Sequence, residues 1–135
     1  MTTPRTSLPA HPPLANAELA VMGLLWEEDG LTARQIREAL YPDSTNQHGT
    51  VQRLLQRLEE KGYVTRAAAS HVQHFSATVS REEYATSQLE TLAERLTGGS
   101  LAPIMTRLVE QKRIPQSEID RLRRILDAET NANDR

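Results

Sequence analysis

A mainly α-helical chain with one small β-hairpin is the fold this sequence predicts, on three observations. Apolar residues recur at spacings of three and four along six stretches between residues 16 and 127. Two short β-prone stretches, Tyr63–Arg66 and Val72–Ala77, interrupt that pattern between the third stretch and the fourth. Capping residues, glycines and prolines fall at the borders between stretches.

The first helix opens with Asn16 as its cap and Glu18 in its first turn, carries Leu19, Met22, Leu25 and Trp26, and stops near Asp29-Gly30. A second helix starts at Thr32, where Gln35 completes a capping box; Ala33, Ile36 and Leu40 line it, and Pro42 stops it. After polar residues 43–46 comes the clearest helical signal. Val51, Leu54, Leu55 and Leu58 share one face, His48, Gln52, Arg53 and Gln56 the other, and Gly62 terminates it. The hairpin follows, with Ala67, Ala68, Ala69 and Ser70 as its tip. Three helices and a hairpin, in that order, make a winged helix-turn-helix domain, expected over residues 14–79.

Ser80 and Glu83 form another capping box, opening a helix with Ala85, Leu89, Leu92 and Leu96 that Gly98-Gly99 ends. A fifth helix, near 100–112, tolerates Pro103 because it lies in the first turn. A sixth carries Ile119, Leu122, Ile125 and Leu126 and frays after Asp127. These three make a carboxy-terminal helical domain over 80–128, with a flexible tail at 129–135 and a disordered, Pro-rich arm at 1–13.

A chain of 135 residues buries one core, or one compact domain with a helical appendage. Aromatic residues at 4% are too few for a large aromatic-lined pocket, so Leu, Ile, Val and Ala must form the core. The absence of cysteine excludes disulfides, thiolate metal sites and cysteine nucleophiles, and fits a cytoplasmic protein. No apolar run is long enough to span a bilayer, and Met1–Pro13 lacks the apolar centre of a signal peptide. His48, His71 and His74 have no carboxylate at ligand spacing, so neither metal nor cofactor is expected. The pairs Glu27-Glu28, Glu59-Glu60 and Glu82-Glu83 fall at helix ends or exposed faces, and no catalytic constellation is present.

A net charge of −2 argues against nucleic acid only globally; what matters is where the cations sit. A helix that enters the major groove needs one apolar face for its own domain and one face that can hydrogen-bond base edges. The third helix has both. His48, Gly49, Gln52, Arg53 and Gln56 are the expected base-facing residues, and Thr50, Arg57, Lys61, Arg66, His71 and His74 the expected phosphate contacts. A Gln/Arg-rich face is ordinarily a solvated face, but here it lies where a recognition helix belongs. The rival reading is a winged-helix module that binds a protein partner and no DNA.

The carboxy-terminal helices carry more apolar positions than three helices of this size can bury among themselves. Leu89, Leu92, Leu96, Leu101, Ile104, Met105, Leu108, Ile119, Leu122 and Ile125 are therefore divided between core and the interface of a homodimer. Double-stranded operator DNA and a second copy of the chain are the expected partners.

The chain resembles the BlaI/MecI family of penicillinase and methicillin-resistance repressors. Three segments carry the resemblance: residues 17–22 with Leu25-Trp26, Thr50-Val51 through Arg57-Leu58-Glu59-Glu60-Lys61-Gly62-Tyr63-Val64, and Leu108-Val109-Glu110 with Ser117-Glu118-Ile119. The resemblance implies a homodimer on a palindromic operator. It also implies release by a membrane sensor protease that responds to β-lactam and cuts the repressor in its carboxy-terminal helices. The best-known members are cut at Asn-Phe, and the position aligning here is Arg107-Leu108, a departure that weakens the carry-over of that step. The family's copper-responsive branch switches through carboxy-terminal cysteines, which this chain lacks.

Overall fold

The computed structural model describes residues 11–43 and 45–133. Its elements are α1 (Asn16–Glu27), α2 (Ala33–Leu40), a 3-10 turn (Thr45–Gln47), α3 (His48–Glu60), β1 (Val64–Ala69), β2 (Val72–Ala77), α4 (Arg81–Thr97), α5 (Ala102–Glu110) and α6 (Gln116–Asn133). The mainly helical class and the element order agree with the sequence reading. The chain divides into two compact units, Met1–Leu89 and Glu90–Arg135. The first nine residues of α4 thus belong to the amino-terminal unit, ten residues beyond the boundary expected at 79.

In the first unit, α1 contributes Val21, Met22 and Leu25 to the core, α2 contributes Ala33 and Ile36, and α3 contributes Val51, Leu54, Leu55 and Leu58. Tyr63, Val64, Phe75 and Val79 close it from the hairpin side. The Thr32/Gln35 box forms as expected: Gln35 N–H donates to Thr32 Oγ1 at 3.1 Å, and Thr32 N–H donates to Gln35 Oε1 at 2.9 Å. So does the Ser80/Glu83 box, at 3.0 and 3.1 Å. Gly62 ends α3 with φ +84°, a conformation that a side chain disfavours.

Four expectations are corrected. Ala15, not Asn16, caps α1, and its N–H donates to Glu18 Oε1 at 2.9 Å, so the reaching carboxylate rather than the cap side chain satisfies the helix start. The hairpin tip is the two-residue turn Ser70-His71, with φ of 54° and 68°, and the three alanines before it are strand. Two left-handed residues in succession suit the right-handed twist of paired strands, and that turn fixes the register Ala69↔Val72. Helix α6 runs on to Asn133, so residues 129–133 of the expected tail are helical. Of the expected arm, residues 1–10 lie outside the described residues, while residues 11–13 are docked.

That docking is specific. Tyr63 Oη donates to the carbonyl of Pro12, Gln88 Nε2 to that of His11 at 3.2 Å, and Leu14 N–H donates to Tyr84 Oη at 2.9 Å. Rings of His11 and Tyr84 both lie against Tyr63, at 5.9 and 5.7 Å between centroids. The hairpin also gains a third participant: Leu31 bridges antiparallel to Phe75, exchanging hydrogen bonds of 2.8 and 3.1 Å. One residue between α1 and α2 thereby ties the helices to the hairpin.

The second unit is built differently. Among its described residues Ala93 alone is buried. Leu92, Leu96, Leu101, Met105, Leu122 and Ile125 are exposed in the single chain, as are Val109 and Leu126, while Ile104, Leu108 and Ile119 are half-buried. Leu89, at the end of the first unit, is exposed as well. Among the described residues no helix is long and apolar enough to cross a membrane.

Candidate nucleic-acid interface

Helix α3 separates its residues by face. Val51, Leu54, Leu55 and Leu58 are buried, and His48, Gly49, Gln52, Arg53, Gln56 and Arg57 are exposed, with Thr50 half-buried between. Because the buried side chains recur at three and four, every side chain on the opposite face projects to solvent from a helix held rigidly by its back. His48 and Gln52, one turn apart, contact through Nε2 atoms at 3.3 Å, which restrains the Gln52 amide. Among the described residues Arg53 carries no ion pair.

The first turn of α3, the start of α2 and the hairpin enclose an open groove of about 480 Å³. Thr32, Arg34, His48, Gln52, Arg66, His71 and Gln73 line it together with Ala33, Val72 and Phe75. Four expected contacts, His48, Gln52, Arg66 and His71, thus converge here. Thr32, Arg34 and Gln73 were missed. The capping box at Thr32 placed the first two at a helix start, but only the folding back of the hairpin shows that this start faces α3.

Three expected phosphate contacts hold partners within the chain. Lys61 Nζ lies 2.8 Å from Glu18 Oε1 and 3.4 Å from the Pro13 carbonyl. Glu18 is 2% exposed. Burial raises its pKa, but the hydrogen bonds from Lys61 and the Ala15 amide outweigh that and hold the carboxyl below its ordinary value. His74 Nδ1 donates to the Gly30 carbonyl at 2.9 Å. Arg66 donates to both oxygens of Glu59, which lowers the pKa of the carboxyl and raises that of the guanidinium. Tyr63 is pushed up to about 12 by burial, with Tyr84 and Glu18 adding to the effect, so it serves as a hydrogen-bond donor and a core ring.

The paired glutamates serve caps and ion pairs: Glu27 meets Arg81 at 2.9 Å, Glu59 holds Arg66, and Glu83 caps α4. Among the described residues no group of three or more His, Cys, Asp or Glu side chains is placed to hold a metal.

The penicillinase repressor family model matches residues 14–128. This chain belongs to the penicillinase repressor family. Within this family of transcriptional repressors, the penicillinase repressor of Bacillus licheniformis is 24% identical over 120 residues, covering 89% of this chain and 94% of that protein. The methicillin resistance regulatory protein MecI of Staphylococcus aureus is 23% identical over 114 residues, covering 84% of this chain and 93% of MecI. A solved structure of a mutant Staphylococcus aureus MepR bound to an oligodeoxyribonucleotide superposes with a TM-score of 0.50 at 21% identity, covering 88% of this chain and 79% of that one, a likeness of fold. The Arg107-Leu108 bond lies inside α5.

Proposed function

We propose that this repressor occupies a palindromic operator as a homodimer and blocks transcription by occlusion. The observation that carries the reading is the exposed polar face of α3 set on a fully buried apolar one, at the third-helix position of a winged helix. In this reading Gln52, Arg53 and Gln56 meet base edges, and His48 and Gly49 bring the helix start close to the sugar-phosphate backbone. Thr50, Arg57 and His71 are the phosphate contacts. The exposed apolar side chains of α4, α5 and α6 meet their counterparts in a second copy. Names of relatives, penicillinase repressor and methicillin resistance regulatory protein, support repression as the task. A face of Gln and Arg rather than Asp and Glu disfavours the rival protein-binding module. Cutting at Arg107-Leu108 would require α5 to unwind first, since nicking takes accessible, non-helical backbone.

Duplexes from the region upstream of the gene, titrated against random duplex over a range of salt, test the reading. Saturable binding that is tighter on one fragment, with dimer stoichiometry and a steep salt slope, is expected. Equal weak binding to every duplex would favour the protein-binding module. Arg53→Ala is expected to weaken operator binding by about 1–3 kcal/mol and relax selectivity at one base pair.

A further inference from the structure

We propose that Glu59 and Arg66 form a strut that sets the pitch of the hairpin against the recognition helix, making Arg66 a positioning residue and not a phosphate contact. The proposal rests on the DNA-binding reading above for its consequence, but its geometry stands in the free protein. Arg66 lies on β1 directly across from Phe75. Its Nε donates to Glu59 Oε2 at 2.9 Å and its Nη2 to Oε1 at 2.5 Å. This two-pronged arrangement fixes both the separation and the plane of the two groups. The guanidinium carbon also sits 5.4 Å from the centre of the Phe75 ring, within range of attraction to the ring face.

Each end of the strut has a firm anchor. Glu59 stands in the last turn of α3, next to the buried Leu58. Phe75 is 3% exposed and is bridged to Leu31 in both directions. Between them β2 is tied to the segment that joins α1 to α2, by the Leu31–Phe75 bridge, by His74 Nδ1 on the Gly30 carbonyl and by the Ala77 N–H on Asp29 Oδ1, whereas β1 has fewer ties. Beyond Val64 every β1 residue is exposed, and on β2 Phe75 is the one buried side chain. With Val64 as its one buried side chain, β1 is held against α3 only at its base and is free to tilt beyond it. A guanidinium held at two points by a carboxylate and backed by a ring removes that freedom. It also leaves Arg66 with no uncompensated charge for a phosphate to capture.

Operator binding as a function of salt, for wild type, Arg66→Ala, Arg66→Lys and Glu59→Gln, tests the strut. All three variants are expected to weaken operator binding by about two- to fivefold, the scale of an exposed but well-formed ion pair, with the salt slope unchanged. Arg66→Lys should fare no better than Arg66→Ala, because it keeps the charge and loses the fork. A phosphate contact predicts otherwise: a slope smaller by about 0.9 in Arg66→Ala, near-normal binding in Arg66→Lys, and tighter binding in Glu59→Gln as the cation is freed. That pattern would overturn the proposal. The Arg66 Nε–H resonance supplies a second reading. It should be slowly exchanging in the free protein, lost in Glu59→Gln and retained on operator; its loss from wild type on binding would also overturn the strut. If wild type binds no duplex selectively, the DNA reading fails on its own. Hydrogen exchange of the β1 and β2 amides then decides, faster exchange in Glu59→Gln supporting the strut and unchanged exchange overturning it.

Discussion

The two units of this chain bury their apolar residues to opposite extents. Among the described residues the first draws thirteen core side chains from α1, α2, α3 and the hairpin side, eight of them fully buried. The second has three helical segments and only Ala93 buried among its described residues. The first is a finished domain. The second presents leucines and isoleucines to solvent on a scale that a stable monomer avoids, the surface that the proposed homodimer would cover.

The sharpest way to break this contrast is to charge the second unit. Leu122→Glu with Ile125→Glu should abolish dimerisation and reduce operator affinity by about a hundredfold or more, because linked half-site binding is lost. Sedimentation read beside operator titration checks it; a variant that remains dimeric would remove these residues from the interface. Core truncation should act in the other unit. Leu55→Ala is expected to lower stability by about 2–5 kcal/mol at any protein concentration. Leu126→Ala, at a side chain 64% exposed, should matter only where the dimer is populated. Urea melts at two concentrations separate them, and equal concentration dependence would erase the contrast.

A smaller effect is expected at the Glu18–Lys61 pair. Glu18→Gln leaves Lys61, whose side chain is 31% exposed, with a weaker partner, and should cost about 1–3 kcal/mol. Because the native pKa of Glu18 lies below its ordinary 4.5, its contribution is complete above that pH and is lost as pH falls through the lower native value. Acid melts of the variant should therefore be flatter between pH 5 and the acid limit, roughly where carboxylates of depressed pKa take up protons. An unchanged profile would mean the acid sensitivity lies elsewhere. The smallest effect is at the docked arm. Tyr84→Phe removes the acceptor for the Leu14 amide and should cost about 0.5–1.5 kcal/mol, seen as a lower midpoint in thermal unfolding.

Much of this could be read from the residues alone, and what could be read was local. The α3 face was legible because Val51, Leu54, Leu55 and Leu58 repeat at helical spacing, and both capping boxes were legible because their two halves lie three residues apart. Membership of the repressor family was legible in segments such as Arg57 to Val64. The expected phosphate contacts were less so. Composition marks Lys61, Arg66 and His74 as cations or donors, but their partners Glu18, Glu59 and Gly30 are 43, 7 and 44 residues away.

The sequence by itself determined the elements, their order and the polarity of each helix face, because periodicity and capping act within a few residues of chain. Only the tertiary structure decided which cations are already paired, that Leu31 joins the hairpin, and that residues 11–14 dock on Tyr63 and Tyr84. Those outcomes depend on which distant segments meet when the core closes, and hydrogen-bond and ion-pair energies fall away too steeply with distance to be assigned before that meeting is known.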